Sequence, residues 1–342
     1  MSPEGSFWNK VRHFFAVGLE SQKSAWQLIQ IRCERGAEIT RLMGFPEETA
    51  QAIRNLDEHW DGAGHPDGLK QDEIPLLARI CGLAQTLEVF YSGYGPARAE
   101  EIAKSRRKKS FDPELVDIFL AEARAGRIWE NLGSPDLTRA LSRMEPEDRT
   151  LSATPERLDL VARAFAEIID AKSPFTYRHS EGVATVAVAM SEHMGFGQEE
   201  VRDQMRAALL HDIGKLGVSN RILDKPDRLT GVEFTELKKH TKLTHDILSR
   251  VAPFHGIVEV ASNHHEKLDG SGYHRGLTAE SLDLPTRILT VADMYDALSQ
   301  DRPYRVGLPK DQALGILKKE SGTKFCPQSV ETLDELIAKR IV

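Results

Sequence analysis

The chain of 342 residues carries 45 basic and 52 acidic side chains, a formal net charge of −7, and 40% hydrophobic residues. This composition excludes intrinsic disorder and indicates a globular protein long enough for two domains. An acidic balance also argues against a nucleic-acid polymer as a partner. No stretch reaches the ~18 apolar residues of a membrane helix, and Cys33, Cys81 and Cys326 form no disulfide framework. We therefore expect a cytoplasmic protein that does not enter a membrane.

The predicted elements are helices almost throughout. Apolar side chains recur at steps of three and four residues, which is the period of an amphipathic helix. Short turns rich in glycine and aspartate separate them, such as Gly62–Gly64 and Asp269–Gly272. The pattern predicts an all-α fold with two related helical domains. In chain order the predicted helices span residues 25–42, 47–56, 76–90, 113–125, 158–169, 180–194, 199–211, 233–251, 257–264 and 284–299.

An ordered internal repeat relates the two halves of the chain. Each half carries a glutamate and an Asp-Gly-x-Gly segment, then a helical segment with matching apolar residues, then a Phe-x-Pro segment. Three matches in one order predict a duplication, with domains at residues 1–145 and 146–342 and a polar, proline-containing linker at 141–155. The paired segments are Glu58 with Glu266, 61–64 with 269–272, 78–85 with 286–293, and 111–113 with 325–327.

The histidines are unevenly distributed. Nine of the twelve fall between His179 and His274, together with acidic residues. Adjacent side chains on a helix diverge by ~100°, so His211 can bind one metal while Asp212 bridges to a second. Nitrogen and oxygen ligands suit iron, manganese, zinc or nickel, and a carboxylate shared by two ions is typical of phosphoester hydrolysis. The residues of ligand type are His179, His211, Asp212, His240, His264, His265 and Asp293.

Two longer strings carry a family resemblance. The string His211-Asp212-Ile213-Gly214-Lys215 resembles the HD superfamily of metal-dependent phosphohydrolases. The run from His264 to Tyr273 (HHEKLDGSGY), with residues 291–298 (VADMYDAL) and 302–305 (RPYR), is similar to the HD-GYP subfamily. The resemblance covers residues 155–340. It implies an HD-domain helical bundle and a bacterial phosphodiesterase that hydrolyses cyclic di-GMP to pGpG and/or GMP.

The same resemblance implies a role for each site residue. Two divalent ions, with iron or manganese favoured and zinc or nickel as alternatives, hold a bridging hydroxide that attacks phosphorus. Lys215 is implied to contact the scissile phosphate, Arg302 and Arg305 the other phosphate, and Tyr273 the nucleotide. Asp212 and Lys215 are thus the implied catalytic residues. One ion takes His179, His211, Asp212 and Asp293, and the second takes His240, His264 and His265, with Asp212 shared.

Two positions depart from the family pattern. Gly272-Tyr273 is followed by His274 where the name-giving motif has proline, which bears on nucleotide preference more than on metal binding. Some members carry a glutamate one helical turn before the first histidine and bind three metals. Phe175 stands at that spacing here, so the sequence predicts two metals.

The first half has the repeat but not the ligands. With the Asp-Gly-x-Gly segments aligned, the positions of the second-half ligands hold residues that cannot form the same centre. We expect this half to be a truncated, degenerate HD-GYP-like domain that serves in packing, dimerisation or regulation. The aligned residues are Arg32 for His240, Leu56 for His264, Asp57 for His265, and Gln85 for Asp293.

Three functions remain open at this stage. The first is a phosphodiesterase acting on cyclic di-GMP. The second is a phosphohydrolase of another nucleotide or cyclic dinucleotide, which the histidine at position 274 in place of proline favours. The third is a signalling scaffold or sensor that binds a nucleotide or a partner domain with little turnover. For the first half, the sequence leaves open a homodimer contact or a signalling-protein partner. Seven side chains of ligand type speak against a purely structural role.

Overall fold

The computed structural model describes residues 29–132, 136–142, 153–172, 178–300 and 307–342. Within these residues the regular secondary structure is helical, and the β-bridges are isolated pairs. The chain divides into two compact units, an N-terminal unit up to Ser152 and a C-terminal unit from Ala153. The predicted all-α class is therefore confirmed. None of the described helices is long and apolar enough to cross a membrane.

The N-terminal unit contains seven described helices. Their apolar faces meet in a core built around Leu83, Ile102, Val116 and Phe119. The third helix runs past its predicted end at residue 90 and stops before Gly95, whose φ of +82° suits glycine at a helix end. The helices are α1 (residues 29–42), α2 (Glu47–Arg54), α3 (Leu76–Tyr94), α4 (Pro96–Arg106), α5 (Pro113–Arg124), α6 (Arg127–Leu132) and α7 (Leu137–Ser142).

The C-terminal unit contains nine described helices. Its core includes Met190, Leu209, Leu210, Ile288 and Leu289, all fully buried. The helices are α8 (Pro155–Lys172), α9 (His179–His193), α10 (Gln198–Leu210), α11 (Asn220–Leu223), α12 (Gly231–Leu248), α13 (Val258–Ser262), α14 (Leu284–Ser299), α15 (Lys310–Lys319) and α16 (Pro327–Ala338).

Three packed helices position most of the candidate site. Helix α9 lies against both α10 and α14, and α12 packs on the 3₁₀ turn Ile213–Gly217 that follows α10. Asp283 caps α14 by accepting a hydrogen bond from the Thr286 amide at 2.9 Å, so the helix has a defined start. Of the predicted linker, residues 143–152 lie outside the described residues.

The predicted repeat recurs as a local structure in both units. The Glu58 carboxylate accepts hydrogen bonds from three successive backbone amides, those of residues 67, 68 and 69. Glu266 does the same with residues 275, 276 and 277, at identical sequence offsets. Gly62 and Gly270 adopt left-handed φ angles of +82° and +75° at equivalent points. The two Asp-Gly-x-Gly loops therefore share one hydrogen-bonded architecture around a buried glutamate.

The Phe-x-Pro segments extend this similarity. The Trp60 amide donates to the Ser110 carbonyl at 3.3 Å, and the Leu268 amide donates to Lys324 at 3.1 Å. Each bond ties an Asp-Gly-x-Gly loop to the turn before the helix that Pro113 or Pro327 begins. Duplication explains these equivalent bonds, because unrelated helical domains have no reason to repeat them at matched offsets.

Candidate metal centre

Seven side chains from five parts of the C-terminal unit converge on one place. The first lies at the start of α9, two follow α10, one lies within α12, two follow α13, and one lies within α14. Six are buried and the seventh, His265, is partly buried. A polar cluster inside an apolar core is costly unless its members are partnered. The residues are His179, His211, Asp212, His240, His264, His265 and Asp293, all seven of the predicted ligands.

Hydrogen bonds set the tautomer of three of these histidines. Nδ1 of His211, His240 and His264 each faces the carbonyl oxygen of the residue three positions earlier, at 2.6, 2.7 and 2.7 Å. A carbonyl only accepts, so each Nδ1 carries the proton and each Nε2 keeps a lone pair when the ring is neutral. Such an outer hydrogen bond is the usual way in which a protein orients an imidazole toward a metal.

The Asp212 carboxylate lies between two groups of imidazoles. Its Oδ1 is 3.4 Å from Nε2 of His240 and 3.9 Å from Nε2 of His264. Its Oδ2 is 3.3 Å from Nε2 of His211 and 3.8 Å from Nε2 of His179. Each oxygen thus faces a different pair of nitrogens, which is the arrangement a bridging carboxylate requires.

Asp293 links the remaining ligand-type residues. Its Oδ1 lies 3.3 Å from Nε2 of His179 and 3.8 Å from Nε2 of His211, and its Oδ2 lies 3.6 Å from Nδ1 of His265. Three sets of side chains place one donor atom each within 4.8 Å of one another. They are His179 with His211 and Asp293, His211 with Asp212 and His264, and His240 with His264 and His265.

Unpaired atoms in this cluster fit divalent cations. His211 Nε2 and Asp212 Oδ1 are buried and find no hydrogen-bond partner among the described residues. Nε2 of His240 and Nε2 of His264 lie 3.4 Å apart, although both nitrogens keep lone pairs when neutral. Facing lone pairs repel, and a buried acceptor without a donor costs free energy. Two cations among these atoms, with Asp212 shared, would satisfy all of them, so the donor set fits divalent metal ions.

Burial and neighbouring charges set the protonation states of the ligand-type side chains. Burial lowers the pKa of His240 to about 4 and that of His265 to about 3, so both rings are neutral at physiological pH. Burial alone would raise the pKa of Asp212, but the Lys215 ammonium and the adjacent His211 hold it well below its usual range. This part of the centre therefore offers neutral imidazoles at His240 and His265 and an ionised carboxylate at Asp212.

His179 and His211 differ from these two histidines, because the neighbouring carboxylates outweigh burial and raise the pKa of each ring. The raised pKa of His179 predicts proton release on metal binding. Burial would lower its pKa, but hydrogen bonds to Asp293 and Asp296 raise the pKa to about 9, so the ring is protonated at neutral pH without metal. A metal at Nε2 must displace that proton, so apparent affinity should rise with pH up to about 9 and then level. We expect release of at least about one proton per chain, measured by titration calorimetry at pH 7 in buffers of different ionisation enthalpy. The same heat in every buffer would contradict this assignment, and His255→Asn should leave the release unchanged.

Lys215 lies beside the cluster on the turn that follows α10. Its ammonium pairs with Asp212 Oδ2, and its side chain keeps access to solvent. The turn is held against α12, because the Thr244 hydroxyl donates to the His211 carbonyl at 2.9 Å and accepts from the Gly214 amide at 3.1 Å. A Cβ on Gly214 would lie 1.9 Å from the His240 carbonyl oxygen, so this close approach requires glycine.

Sequence reasoning did not assign the residue that orients His179. Nδ1 of His179 lies 2.7 Å from Oδ2 of Asp296, a buried carboxylate one helical turn after Asp293. A Cβ on Gly182 would lie 2.2 Å from Asp296 Oδ1, so the missing side chain makes room for this carboxylate. The spacing of three residues on α14 was the available signal, because it puts both aspartates on one helix face.

The predicted substrate residues are only partly within the described structure. Tyr273 lies beside the cluster, with its ring centroid 4.8 Å from that of His265. Arg302 and Arg305, predicted to contact a phosphate, and Phe175, which stands in place of a third-metal glutamate, lie outside the described residues. Their roles stay predictions.

Other histidines of the C-terminal unit have different partners. His193 Nε2 lies 2.9 Å from Glu335, and His255 Nε2 lies 3.0 Å from the Ser249 carbonyl. His245 faces Asp246 and Glu259. None of the three occurs in the ligand sets of the described residues.

The N-terminal unit has an ion pair at the corresponding position. Arg32, which aligns with His240, pairs with Asp57, which aligns with His265. Leu56 and Gln85 align with His264 and Asp293, and none of the ligand sets found among the described residues lies in this unit. A fixed guanidinium charge therefore balances Asp57 in the place where the C-terminal unit gathers its imidazoles.

The described geometry defines a helical metal-dependent phosphohydrolase. A family model described as an HD domain matches residues 20–115 and 163–328, which is more than half of the chain. The chain belongs to the HD domain family and is of its HD-GYP type, as the sequence motifs indicated.

Relatives of known activity support this assignment. The 3'3'-cGAMP-specific phosphodiesterase 3 of Vibrio cholerae is 40% identical over 313 residues, which cover 92% of this chain and 68% of that protein. A cyclic di-GMP phosphodiesterase of Thermotoga maritima is 40% identical over 235 residues, 67% of this chain and 64% of that protein. The crystal structure of a cyclic GMP-AMP-specific phosphodiesterase of V. cholerae matches with a TM-score of 0.64 at 35% identity. That match covers 99% of this chain and 79% of the other.

Proposed function

We propose that this chain is a phosphodiesterase that hydrolyses a cyclic dinucleotide, with cyclic di-GMP and 3'3'-cGAMP as its candidate substrates. The observation that carries the proposal is Asp212, which lies between two groups of inward-facing imidazoles beside the Lys215 ammonium. Among the two relatives, the one that matches more of this chain is specific for 3'3'-cGAMP. Cyclic di-GMP, hydrolysed to pGpG and/or GMP, is proposed equally with 3'3'-cGAMP.

The proposed cofactors are two divalent ions, with iron or manganese favoured and zinc or nickel also compatible with these ligands. His179, His211 and Asp293 would hold one ion, His240, His264 and His265 the other, and Asp212 both. When bound, such ions lower the pKa of water to yield a nucleophile and neutralise charge on the phosphoryl group.

The protein's own groups complete the site. Lys215 is close enough to the centre to contact a scissile phosphate, and its positive charge stabilises the charge that develops there. Burial raises the pKa of Tyr273, and the nearby Asp293 and Asp212 charges raise it further, so its hydroxyl stays a hydrogen-bond donor. We assign Arg302 and Arg305 to the other phosphate. The N-terminal unit, proposed at residues 1–145, serves in packing, dimerisation or regulation and binds no metal.

The direct test combines metal analysis with product analysis. The purified protein, loaded anaerobically with iron or manganese, should contain two metals per chain and convert 3'3'-cGAMP or cyclic di-GMP to linear or mononucleotide products on chromatography. Chelated protein is the matched control and should convert neither. No conversion by loaded protein would favour a signalling scaffold or sensor, and three metals per chain would overturn the two-metal assignment.

A further inference from the structure

A pair of perpendicular aromatic rings borders the metal centre. The Tyr273 amide donates to the His265 carbonyl at 3.2 Å, which ties the tyrosine to a ligand-type residue. The Phe234 ring lies 6.4 Å from the Tyr273 ring, at an angle of 78°. The Lys238 ammonium sits between them, 4.8 Å from the Phe234 centroid and 4.9 Å from that of Tyr273. We name the group of Phe234, Lys238 and Tyr273 the aromatic corner.

Phe234 is exposed and yet held in a fixed position. It lies in the first turn of α12, where Thr230 and Glu233 form reciprocal capping hydrogen bonds. Lys225 adds an ion pair to Glu233 at 2.6 Å. The Phe234 side chain is 45% exposed despite this rigid support. A preorganised aromatic face open to solvent beside a catalytic centre is suited to a flat ligand group.

Lys238 differs from the other lysines of its helix. Lys239 pairs with Glu236 at 2.6 Å, and Lys242 pairs with Asp246 at 2.6 Å. No carboxylate among the described residues lies within ion-pair distance of Lys238, whose ammonium contacts the two rings instead. Its three donors are thus available to a ligand on the aromatic corner.

We propose that the aromatic corner binds one base of the substrate and that Lys238 selects guanine there. The inference rests on the proposed function, because a dinucleotide phosphate at the metal centre puts the adjoining base near Tyr273. The base would stack on Phe234 while the flexible lysine withdraws from the ring and donates to the base edge. Phe234 and Lys238 then determine specificity and do not take part in bond breaking.

The hydrogen-bonding chemistry favours guanine over adenine. Guanine presents two acceptors, O6 and N7, on the edge that an ammonium can reach, and lysine is a common partner for them. Adenine keeps the N7 acceptor but presents its N6 amino group in place of O6, so the ammonium finds one acceptor instead of two and faces a second donor. Cyclic di-GMP and 3'3'-cGAMP both carry guanine, whereas cyclic di-AMP does not. The corner therefore predicts that cyclic di-AMP is the poorest of these three substrates.

Four variants separate stacking from base selection. Phe234→Ala should raise the KM for cyclic di-GMP about 10-fold with little change in kcat, and Phe234→Tyr should restore it, because stacking on an aromatic ring stabilises a bound base. Lys238→Met should raise KM for both guanine substrates about 10-fold and raise that for cyclic di-AMP by clearly less, because adenine offers the ammonium one acceptor instead of two. Lys239→Met, which removes a neighbouring lysine of α12, is the matched control. Metal content should be the same in all four variants.

Equilibrium binding tests the inference without turnover. Wild-type protein loaded with metal should bind GMP about 10-fold more tightly than AMP in titration calorimetry, and Lys238→Met should remove that preference. If loaded protein hydrolyses no cyclic dinucleotide but keeps this Lys238-dependent preference, the proposed function fails and the base subsite stands. Two results would overturn the base subsite alone. One is that Phe234→Ala leaves hydrolysis unchanged, and the other is that Lys238→Met weakens hydrolysis of all three substrates equally. Absence of both hydrolysis and GMP binding would overturn both.

Discussion

Asp212→Asn is expected to abolish hydrolysis, with a fall in kcat of at least about 10³-fold, the upper end for loss of one electrostatic stabiliser. Each Asp212 oxygen faces a different pair of imidazole nitrogens. An amide keeps the shape of the side chain but removes the charge and replaces one oxygen with a group that cannot bind a cation. Metal content per chain should therefore fall together with activity, as measured by elemental analysis and initial rates.

The control for this substitution is Asp246→Asn on α12. Asp246 is an exposed carboxylate paired with Lys242, so its loss changes the net charge by the same amount without touching the centre. This variant should keep its metals and its rate. Full metal content and wild-type kcat in Asp212→Asn would show that the carboxylate does not bridge the two groups of ligands.

Ten of the sixteen described helices and the ligand types were predictable from sequence because they depend on local chemistry. An apolar period of 3.6 residues predicts a helix wherever its face is buried, and most helix ends fell within a few residues of prediction. The His211-Asp212 pair and the HHEKLDGSGY run carry donor types that few other functions require. The roles of single ligands depend on which atoms face each other, and that information is not local.

The partners of the ligands show why the rest of the site was missed. His211 follows α10 and His264 follows α13, where helix carbonyls lack an intrahelical partner and can accept from Nδ1. That pattern is readable only once the helix ends are known to a residue. Asp296 acts through packing of α14 on α9, and Gly182 matters only because that carboxylate needs its space. Contacts of this kind follow from tertiary structure.

The repeat could be aligned from the sequence, but the contacts that its residues make could not be predicted. Alignment placed Arg32 and Asp57 opposite two histidines and indicated a lost centre. The structure adds that these two residues pair with each other. It also shows that the shared glutamates hold equivalent loops by three backbone hydrogen bonds each. The two units therefore share the loop architecture, whereas the ligand sets found among the described residues all lie in the C-terminal unit.

Lys215→Met is expected to leave the metals bound and to lower kcat about 10²- to 10³-fold, the usual range for loss of one group that stabilises transition-state charge. Lys215 pairs with Asp212 from the solvent side of the cluster and contributes no donor atom to the ligand sets of the described residues. Cations held by Asp212 would offset its negative charge, which would free the Lys215 ammonium to contact a phosphate. Methionine keeps most of the apolar stem and removes only the charge.

Two comparisons decide whether Lys215 acts on the substrate or only through Asp212. Lys215→Arg keeps a positive charge and should recover part of the lost kcat, although the planar guanidinium does not reproduce the geometry of an ammonium. Lys242→Met removes a lysine of α12 that pairs with Asp246 and should leave kcat unchanged. If Lys215→Met loses metal in proportion to rate, the lysine serves the carboxylate. If metal content stays whole while kcat falls, the ammonium stabilises the phosphate during bond cleavage, as proposed.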